Sequence, residues 1–531
     1  TDAALPPPAP ASGGGGGTTL AEGQNLTGAP NASGLGASPA DEWRFSSHGF
    51  FRAPMRIGIG SRPKCQAGLA PATAVDTSGN PVGPNNKALY SVPCAGPGQS
   101  STALHTPFTP DNQYLDWRYI RQQEYDWTEV FLNYGNSRIQ GTVSFQAFGF
   151  TDAEHFTADN ITSQLGIAQG WVTVKPDPGV VGLRLNWKVG AFWDKYGMAG
   201  KYDAGKYDTY LFGRTHQMGE TFAGEYDVGD FTLRLSHGIG IHNEAIAYSP
   251  TGTGDPGFSL VHHVHAGVSY KKTIDFNAHY IAAWSQDFRP DPKTMDGSIT
   301  VTGAEARFTG GLGGELYLGY SHVSSDQPLR VGPVLEVVAS LGGAGYSHAG
   351  GNGLVDNYFG CKGGCGAGAI AADHGTLDTI ELQYDYSFGA LYRKLTTGEN
   401  FWGDGWDVNL AVFGMFTKVG SNLTPDQTNS SRMLGDGVSK LKYGADLIVV
   451  PLSWMGIGAR ADVVQPTDGD KEQSFWVVSP KLMFKTKFVT HEEITAQYSH
   501  YSYGKTVLAQ PPNQGYPPDE NTVGIKGTLW W

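Results

Sequence analysis

The sequence predicts an all-β chain folded as a transmembrane antiparallel up-and-down β-barrel of about eighteen strands. Three observations predict it. Apolar and polar residues alternate with period two in segment after segment, turn residues recur at short intervals, and the connections alternate between short and long. Period two is the signature of a strand because successive side chains point to opposite faces. No stretch approaches the roughly 20 apolar residues that a membrane helix needs, which excludes a helical membrane protein. A membrane strand needs only about 9 to 11 residues with every second one apolar, so a mean hydropathy of −0.29 is compatible with it.

No composition break divides the chain after about residue 43, which favours one large unit for the 531 residues over several domains. Residues 1–43 are mostly Pro, Ala, Gly, Ser and Thr, with Pro6 to Pro8 and five glycines from Gly13. They cannot bury enough apolar surface to fold alone and are expected to be a flexible periplasmic tail. A simple tether, a segment folding back into the barrel mouth and a docking arm for a periplasmic partner all fit it. The chain starts at Thr1 without a signal peptide or initiator Met, as expected of a mature exported protein. The net charge of −13 argues against nucleic acid as a partner.

The barrel is expected over residues 44–531. Its clearest strand is 138 to 147, where Ile139, Val143, Phe145 and Ala147 share one face while Arg138, Gln140, Thr142, Ser144 and Gln146 share the other. The pattern repeats at 181 to 193, with Leu183, Leu185, Trp187 and Val189 against Arg184, Asn186 and Lys188. It recurs at 231 to 236 and 274 to 284. In order, strands are predicted near 44–60, 124–134, 137–150, 164–175, 180–193, 217–227, 230–241, 260–270, 274–287, 298–309, 314–323, 375–388, 406–418, 438–451, 454–466, 473–486, 490–502 and 521–531.

Gaps after odd strands are mostly long, foremost the external loops 61–123 and 324–374, whereas gaps after even strands are mostly two to four residues with good turn chemistry. That is the pattern of a bacterial outer-membrane barrel, with an even strand number and short periplasmic turns. The gap 389–405 is long where a short turn is expected, so sixteen strands is the alternative count.

The chain ends Thr528-Leu529-Trp530-Trp531, with Val523, Ile525, Leu529 and Trp531 on one face, which resembles the aromatic-terminated last strand of outer-membrane barrels. Near the other end, His48-Gly49-Phe50-Phe51-Arg52 leading to Ile57-Gly58-Ile59-Gly60 resembles the first strand of maltoporin-like sugar porins, which have eighteen strands. The porin resemblance implies a location in the bacterial outer membrane, contact with its lipid, passage of small hydrophilic solutes with carbohydrates among them, and a homotrimer. It covers the barrel ends only, and Pro54 departs from an ordinary ladder position.

Eighteen strands enclose a lumen too wide for wall side chains alone to fill. The residues expected to line it are Arg52, Arg56, Arg138, Arg184, Lys188 and Arg234 on early strands, and Asp275, Glu315, Asp407, Asp462 and Glu493 on later ones. If the two signs occupy separate arcs at similar heights, a transverse field crosses the pore; Arg460 and Lys526 speak for mixed polarity instead. The loop 194–216 holds the position from which general porins fold a constriction inward. It carries a GKYD repeat with Tyr196, Tyr202, Tyr207, Tyr210 and Phe212, aromatic faces suited to sugar rings or to an ordinary surface loop.

Cys65 with Cys94 and Cys361 with Cys365 lie in two long loops, so an oxidising exterior makes two loop disulfides the natural pairing; a Cys-x3-Cys metal site is the rival. His262, His263 and His265 cluster tightly, but only His263 and His265 share a strand face, so a metal site would need another ligand, and solvated rim histidines are the simpler expectation. No catalytic constellation, metal site or cofactor is predicted. The competing function is a structural or docking barrel plugged by its tail or by the loop 324–374.

Overall fold

The computed structural model describes residues 42–59, 65–66, 92–93, 127–148, 164–196, 213–243, 258–271, 273–286, 297–311, 314–331, 335–336, 354–363, 370–397, 406–428, 433–486, 491–504 and 519–531. Nineteen strands hydrogen-bond into one sheet, and one of them is only the dipeptide Leu335–Glu336. The other eighteen are β1 Arg44–Ile59, β2 Trp127–Gly135, β3 Ile139–Phe148, β4 Gln164–Val174, β5 Leu183–Tyr196, β6 Gly213–Val228, β7 Phe231–Asn243, β8 Phe258–Tyr270 and β9 Ile274–Gln286. They continue as β10 Ser298–Gly311, β11 Gly314–Asp326, β12 His374–Ser387, β13 Asp407–Ser421, β14 Ser439–Leu452, β15 Met455–Gln465, β16 Phe475–Thr486, β17 His491–Tyr503 and β18 Asp519–Trp530.

Each strand pairs antiparallel with its neighbours in sequence, as at Leu183↔Tyr226 between β5 and β6. The ring closes at β1, which pairs with β2 from Arg44↔Gly135 to Arg52↔Trp127 and with β18 from Phe50↔Trp530 to Ile59↔Asn521. Closure leaves no free edge, as lipid requires. The tight turns gather at one end. There, β6 and β7 are joined through Gly229-Asp230, and Gly229 has φ 60°, a conformation that glycine adopts without strain.

The gap 389–405 does not cost two strands. Its first part is helix α1, Phe388–Thr397, begun by Ser387, whose Oγ accepts the Ala390 N–H at 3.1 Å. Phe388, Tyr392 and Leu395 lie on one helical face and are exposed, as an interfacial helix requires. The strand count therefore stays at eighteen.

The faces are inverted relative to a soluble protein. Outward residues such as Val143, Phe145, Trp187, Val189, Phe222, Leu233, Leu235 and Phe276 are exposed, while their inward neighbours Ser144, Gln146, Lys188, Thr221, Arg234, Ser236 and Asp275 are buried. Apolar outside and polar inside is the arrangement that a lipid solvent selects. At the turn end an outward aromatic girdle follows, with Phe231 against Tyr270 (ring centres 4.9 Å apart), Tyr386 against Phe388 (4.5 Å) and Tyr392 against Trp406 (5.6 Å).

The described parts of the connection between β11 and β12 form a strap at the opposite, loop end. After the turn Pro328–Arg330, Val331 is fully buried beside Gly297. Leu335–Glu336 then pairs with Arg214 and Thr215 at the loop end of β6. Leu354, Val355, Tyr358 and Phe359 return to the inner wall and are buried. Phe359 packs on Gly375 of β12, where a Cβ would lie 2.4 Å from its ring. Tyr358 lies under Lys440 of β14, whose Nζ is 5.8 Å from the ring centre.

Candidate functional site: the lumen wall

The lumen wall has three zones. The loop-end part of β8–β17 is apolar on its inward side: Val261, Ile281, Ile299, Val301, Val323, Leu377, Val419, Val464, Val477 and Tyr501 form one buried cluster with Val331, Leu354, Tyr358 and Phe359 of the strap. Hydrogen bonds to backbone carbonyls fix the strap there. Gly435 N–H donates to the Tyr358 carbonyl at 2.8 Å, the Ser421 hydroxyl to that of Phe359 at 3.2 Å, and Gly363 N–H to that of Gln427 at 2.8 Å.

Nearer the turn end, the same wall carries paired charges. Asp275 accepts from Arg234 Nη2 at 3.1 Å and from Arg307 Nη2 at 3.2 Å, and also bonds the Ser269 hydroxyl. Arg460 grips Asp462 two residues on, at 2.6 and 2.7 Å, with its guanidinium 4.8 Å from the Phe413 ring centre. Lys481 meets Asp446 at 2.6 Å and Lys485 meets Glu493 at 3.1 Å. Each pair sits on one strand or on strands close by in the wall, so desolvation is offset locally.

The third zone is an inward aromatic run across β1, β2, β4 and β5. His48 stacks on Phe131 with ring centres 4.6 Å apart, Phe131 meets Trp171 edge-on at 6.2 Å, and Trp171 meets Phe192 at 6.5 Å. Gly190, directly across from Trp171, lets the two strands approach closely, since a Cβ there would lie 2.4 Å from the Gly170 carbonyl oxygen and 2.6 Å from Trp171 Cα. Polar groups line the run. Gln169 Nε2 donates to Glu129 Oε1 at 3.1 Å, and Lys188 Nζ lies 4.6 Å from the Trp171 ring centre while bonding Asp194 at 2.7 Å.

The predicted lining residues divide accordingly. Lys188, Arg234, Asp275, Glu315, Asp462 and Glu493 face the lumen and are buried. Arg184 also faces inward but lies half-exposed near the turn end, bound to Glu225 and Asp227. Arg138 is an exposed residue of the turn before β3, lifted out of the wall because the Asn136 side chain accepts the Arg138 and Ile139 N–H groups. Asp407 is spent locally, accepting from the Ser387 hydroxyl at 2.6 Å and from Gly389 N–H at 2.8 Å. Arg52 and Arg56 lie on β1, but their side chains are outside the described residues.

Among the described residues the two signs are mixed rather than set in separate arcs. Glu129, Asp194 and Glu225 stand among the early basic residues, and Arg307, Lys440, Lys442, Arg460 and Lys481 among the late acidic ones. Tyr196 ends β5, whereas Tyr202, Tyr207, Tyr210 and Phe212 lie outside the described residues. Cys361 opens the short strand Cys361–Lys362 in the strap and Cys65 the strand Cys65–Gln66, which pairs with Val92–Pro93; Cys94 and Cys365 lie outside the described residues, and among those described no cysteine is free. Sequence reasoning missed the aromatic run and the apolar zone, although Phe131 shares its strand parity with Glu129 and Asn133.

No family model matches the chain, and no curated protein matches it. Among solved structures, the outer membrane channel DcaP of Acinetobacter baumannii is similar over 92% of this chain and 97% of its own, at 10% identity and a TM-score of 0.36. OccK11 of Pseudomonas aeruginosa is similar over 92% and 95%, at 8% identity and a TM-score of 0.37. OmpT of Vibrio cholerae, in its trimer form, is similar over 92% and 100%, at 10% identity and a TM-score of 0.35. The fold and its orientation here rest on strand pairing and burial alone.

Proposed function

We propose that this chain is a bacterial outer-membrane channel for passive diffusion of small hydrophilic solutes, with carbohydrates as the preferred class. The observation that carries the carbohydrate reading is the aromatic run His48, Phe131, Trp171 and Phe192 on the inward wall, flanked by Glu129, Gln169 and Lys188. Aromatic faces cover the C–H side of a sugar ring, while a carboxylate, an amide and an ammonium serve its hydroxyls. Arg52 and Arg56 of β1, Arg184 of β5 and the wall charges Lys188, Arg234, Asp275, Glu315, Asp462 and Glu493 add the polar lining in this reading. Tyr202, Tyr207, Tyr210 and Phe212 extend the aromatic supply in this reading.

The assembly proposed is a homotrimer. The loop disulfides proposed are Cys65 with Cys94 and Cys361 with Cys365, and the tail 1–43 is a periplasmic tether.

The test is single-channel conductance of the purified barrel in a planar bilayer, with oligosaccharides added as blockers. Stable steps, sugar block, and a loss of block in Trp171→Ala support the proposal. Conductance without block, or block unchanged in Trp171→Ala, refutes the carbohydrate assignment. The strap across the mouth and the buried lumen residues favour a second reading, a docking or structural barrel held shut, and folded protein without conductance would establish it over the first.

A further inference from the structure

The histidines singled out in the sequence bond one another. His263 and His265 face the lumen and are buried, which corrects the expectation of solvated rim histidines, and their near nitrogens lie 3.0 Å apart. The outward pair His237 and His262 is closed in the same way, at 2.8 Å. An apolar face without cover among the described residues lies elsewhere, on helix α1. We propose that α1 docks on the phospholipid surface at the turn end of the barrel, with Phe388, Tyr392 and Leu395 at the acyl boundary and Lys394 on anionic headgroups. This rests on the outer-membrane barrel reading, in which the short turns lie on the periplasmic side.

The helix is held to the barrel by its other face. Asp407 accepts the Gly389 N–H at 2.8 Å, and a Cβ at Gly389 would lie 2.6 Å from the Trp406 carbonyl oxygen, so the first turn lies tight against the start of β13. Arg393, one turn on, donates from Nη1 to that same carbonyl at 3.0 Å. Ala390 on this side is fully buried, whereas Leu395 is 75% exposed and Tyr392 54%. A helix that stayed in water would turn its apolar face to the protein, and ten residues are marginal as a helix without such packing. Here the apolar face is turned away from the wall.

What covers it is read from continuity with the lipid-facing wall. Ring centres follow one another from Tyr384 to Tyr386 at 5.9 Å and from Tyr386 to Phe388 at 4.5 Å, and Tyr392 meets Trp406 at 5.6 Å. The outward girdle thus passes onto the helix without a break, at the level where aromatic rings sit between acyl chains and headgroups. The charges agree with that surface. Arg393 and Lys394 are the only charged side chains over 388–397, and no acid accompanies them. Lys394 is exposed, about 100° round the helix from Leu395, so its ammonium reaches headgroup phosphate while the apolar residues point into the leaflet. Thr396 Oγ1 donates to the Tyr392 carbonyl at 2.8 Å, which satisfies a last-turn acceptor in a poorly hydrated setting.

The test is site-directed spin labelling of the full chain in vesicles of phosphatidylcholine and phosphatidylglycerol. Among the described residues no cysteine is free, so an added one takes the nitroxide, and the parent chain gives the background. Power saturation compares access of oxygen, which enters lipid, with access of a neutral nickel chelate, which stays in water. Labels at Tyr392→Cys and Leu395→Cys should favour oxygen, as should Val143→Cys on the lipid face of β3, whereas Asp230→Cys in a turn should favour the chelate. If Tyr392→Cys does not fold, Leu395→Cys decides. Chelate access at 395 with oxygen access at 143 overturns the proposal and spares the barrel; chelate access at both overturns the two together. A label at 395 shielded from both probes also overturns it, since protein, such as a second copy, is then the cover. Raising the phosphatidylglycerol fraction should lower chelate access at 395 further, and Lys394→Gln should remove that response. No response, or one unchanged by Lys394→Gln, overturns the headgroup contact.

Discussion

Replacing Phe359 by Ala should release the strap from the inner wall. The Phe359 ring is fully buried against Gly375 and belongs to the same apolar cluster as Tyr358, Leu354 and Leu377. Truncating a buried Phe costs about 3–5 kcal/mol. The lower figure applies, because the bonds to the Tyr358 and Phe359 carbonyls use backbone acceptors and survive the substitution. About 3 kcal/mol shifts the docked-to-undocked ratio roughly a hundredfold at about 1.4 kcal/mol per tenfold. In a planar bilayer the variant should show larger and noisier conductance steps than the parent, and in vesicles the strap should become sensitive to external protease. Gly375→Ala should give the same phenotype from the wall side, since its new Cβ would lie 2.4 Å from the ring. A folded Phe359→Ala barrel with parental conductance and parental protease resistance would refute the inserted strap.

Two further outcomes follow from the wall itself. Asp275→Ala leaves Arg234 and Arg307 buried without their shared carboxylate, a loss expected to cost about 3–5 kcal/mol and to be read as a lower urea midpoint in a heat-modifiability gel assay. Val143→Arg places a charge near the centre of the lipid face of β3 and should destabilise by about 2–4 kcal/mol in the same assay. Gln146→Arg, on the lumen face of the same strand, should largely escape that penalty, and equal costs for the two would contradict the assigned faces.

The strand order was legible because period-two alternation and turn chemistry are local. The segment 137–150 contains the observed Ile139–Phe148, and the gap expected between 217–227 and 230–241 falls within one residue of the observed turn Gly229-Asp230. The helix over Phe388–Thr397 was not separated from a plain loop, although Phe388, Tyr392 and Leu395 hold helical spacing. The strap was illegible for a different reason. Leu354, Val355, Tyr358 and Phe359 sit in a glycine-rich stretch, and only the facing wall, far along the chain, decides that they are buried. Pairing likewise decides the charges: parity alone places Asp275 inward, but that Arg234 and Arg307 share it is set by register across β7 to β10.

The inward face itself argues for a built-in strap. An inner barrel wall wetted by a channel is polar, yet Val261, Ile281, Val301, Val323 and Leu377 point inward on five successive strands and are almost wholly buried. In open water, each such side chain would forgo about 1.5–3 kcal/mol of burial. A row of them therefore marks contact with protein, and Leu354, Tyr358 and Phe359 supply it. Below that zone several charges are matched by neighbours in the wall, as in Lys481 with Asp446 at 2.6 Å and Arg460 with Asp462 at 2.6 Å, which weakens the field that would sort solutes by sign. In the proposed carbohydrate channel, discrimination would then fall to shape and to the aromatic run, so loss of the Trp171 ring should weaken sugar block, whereas loss of a paired charge should weaken the fold.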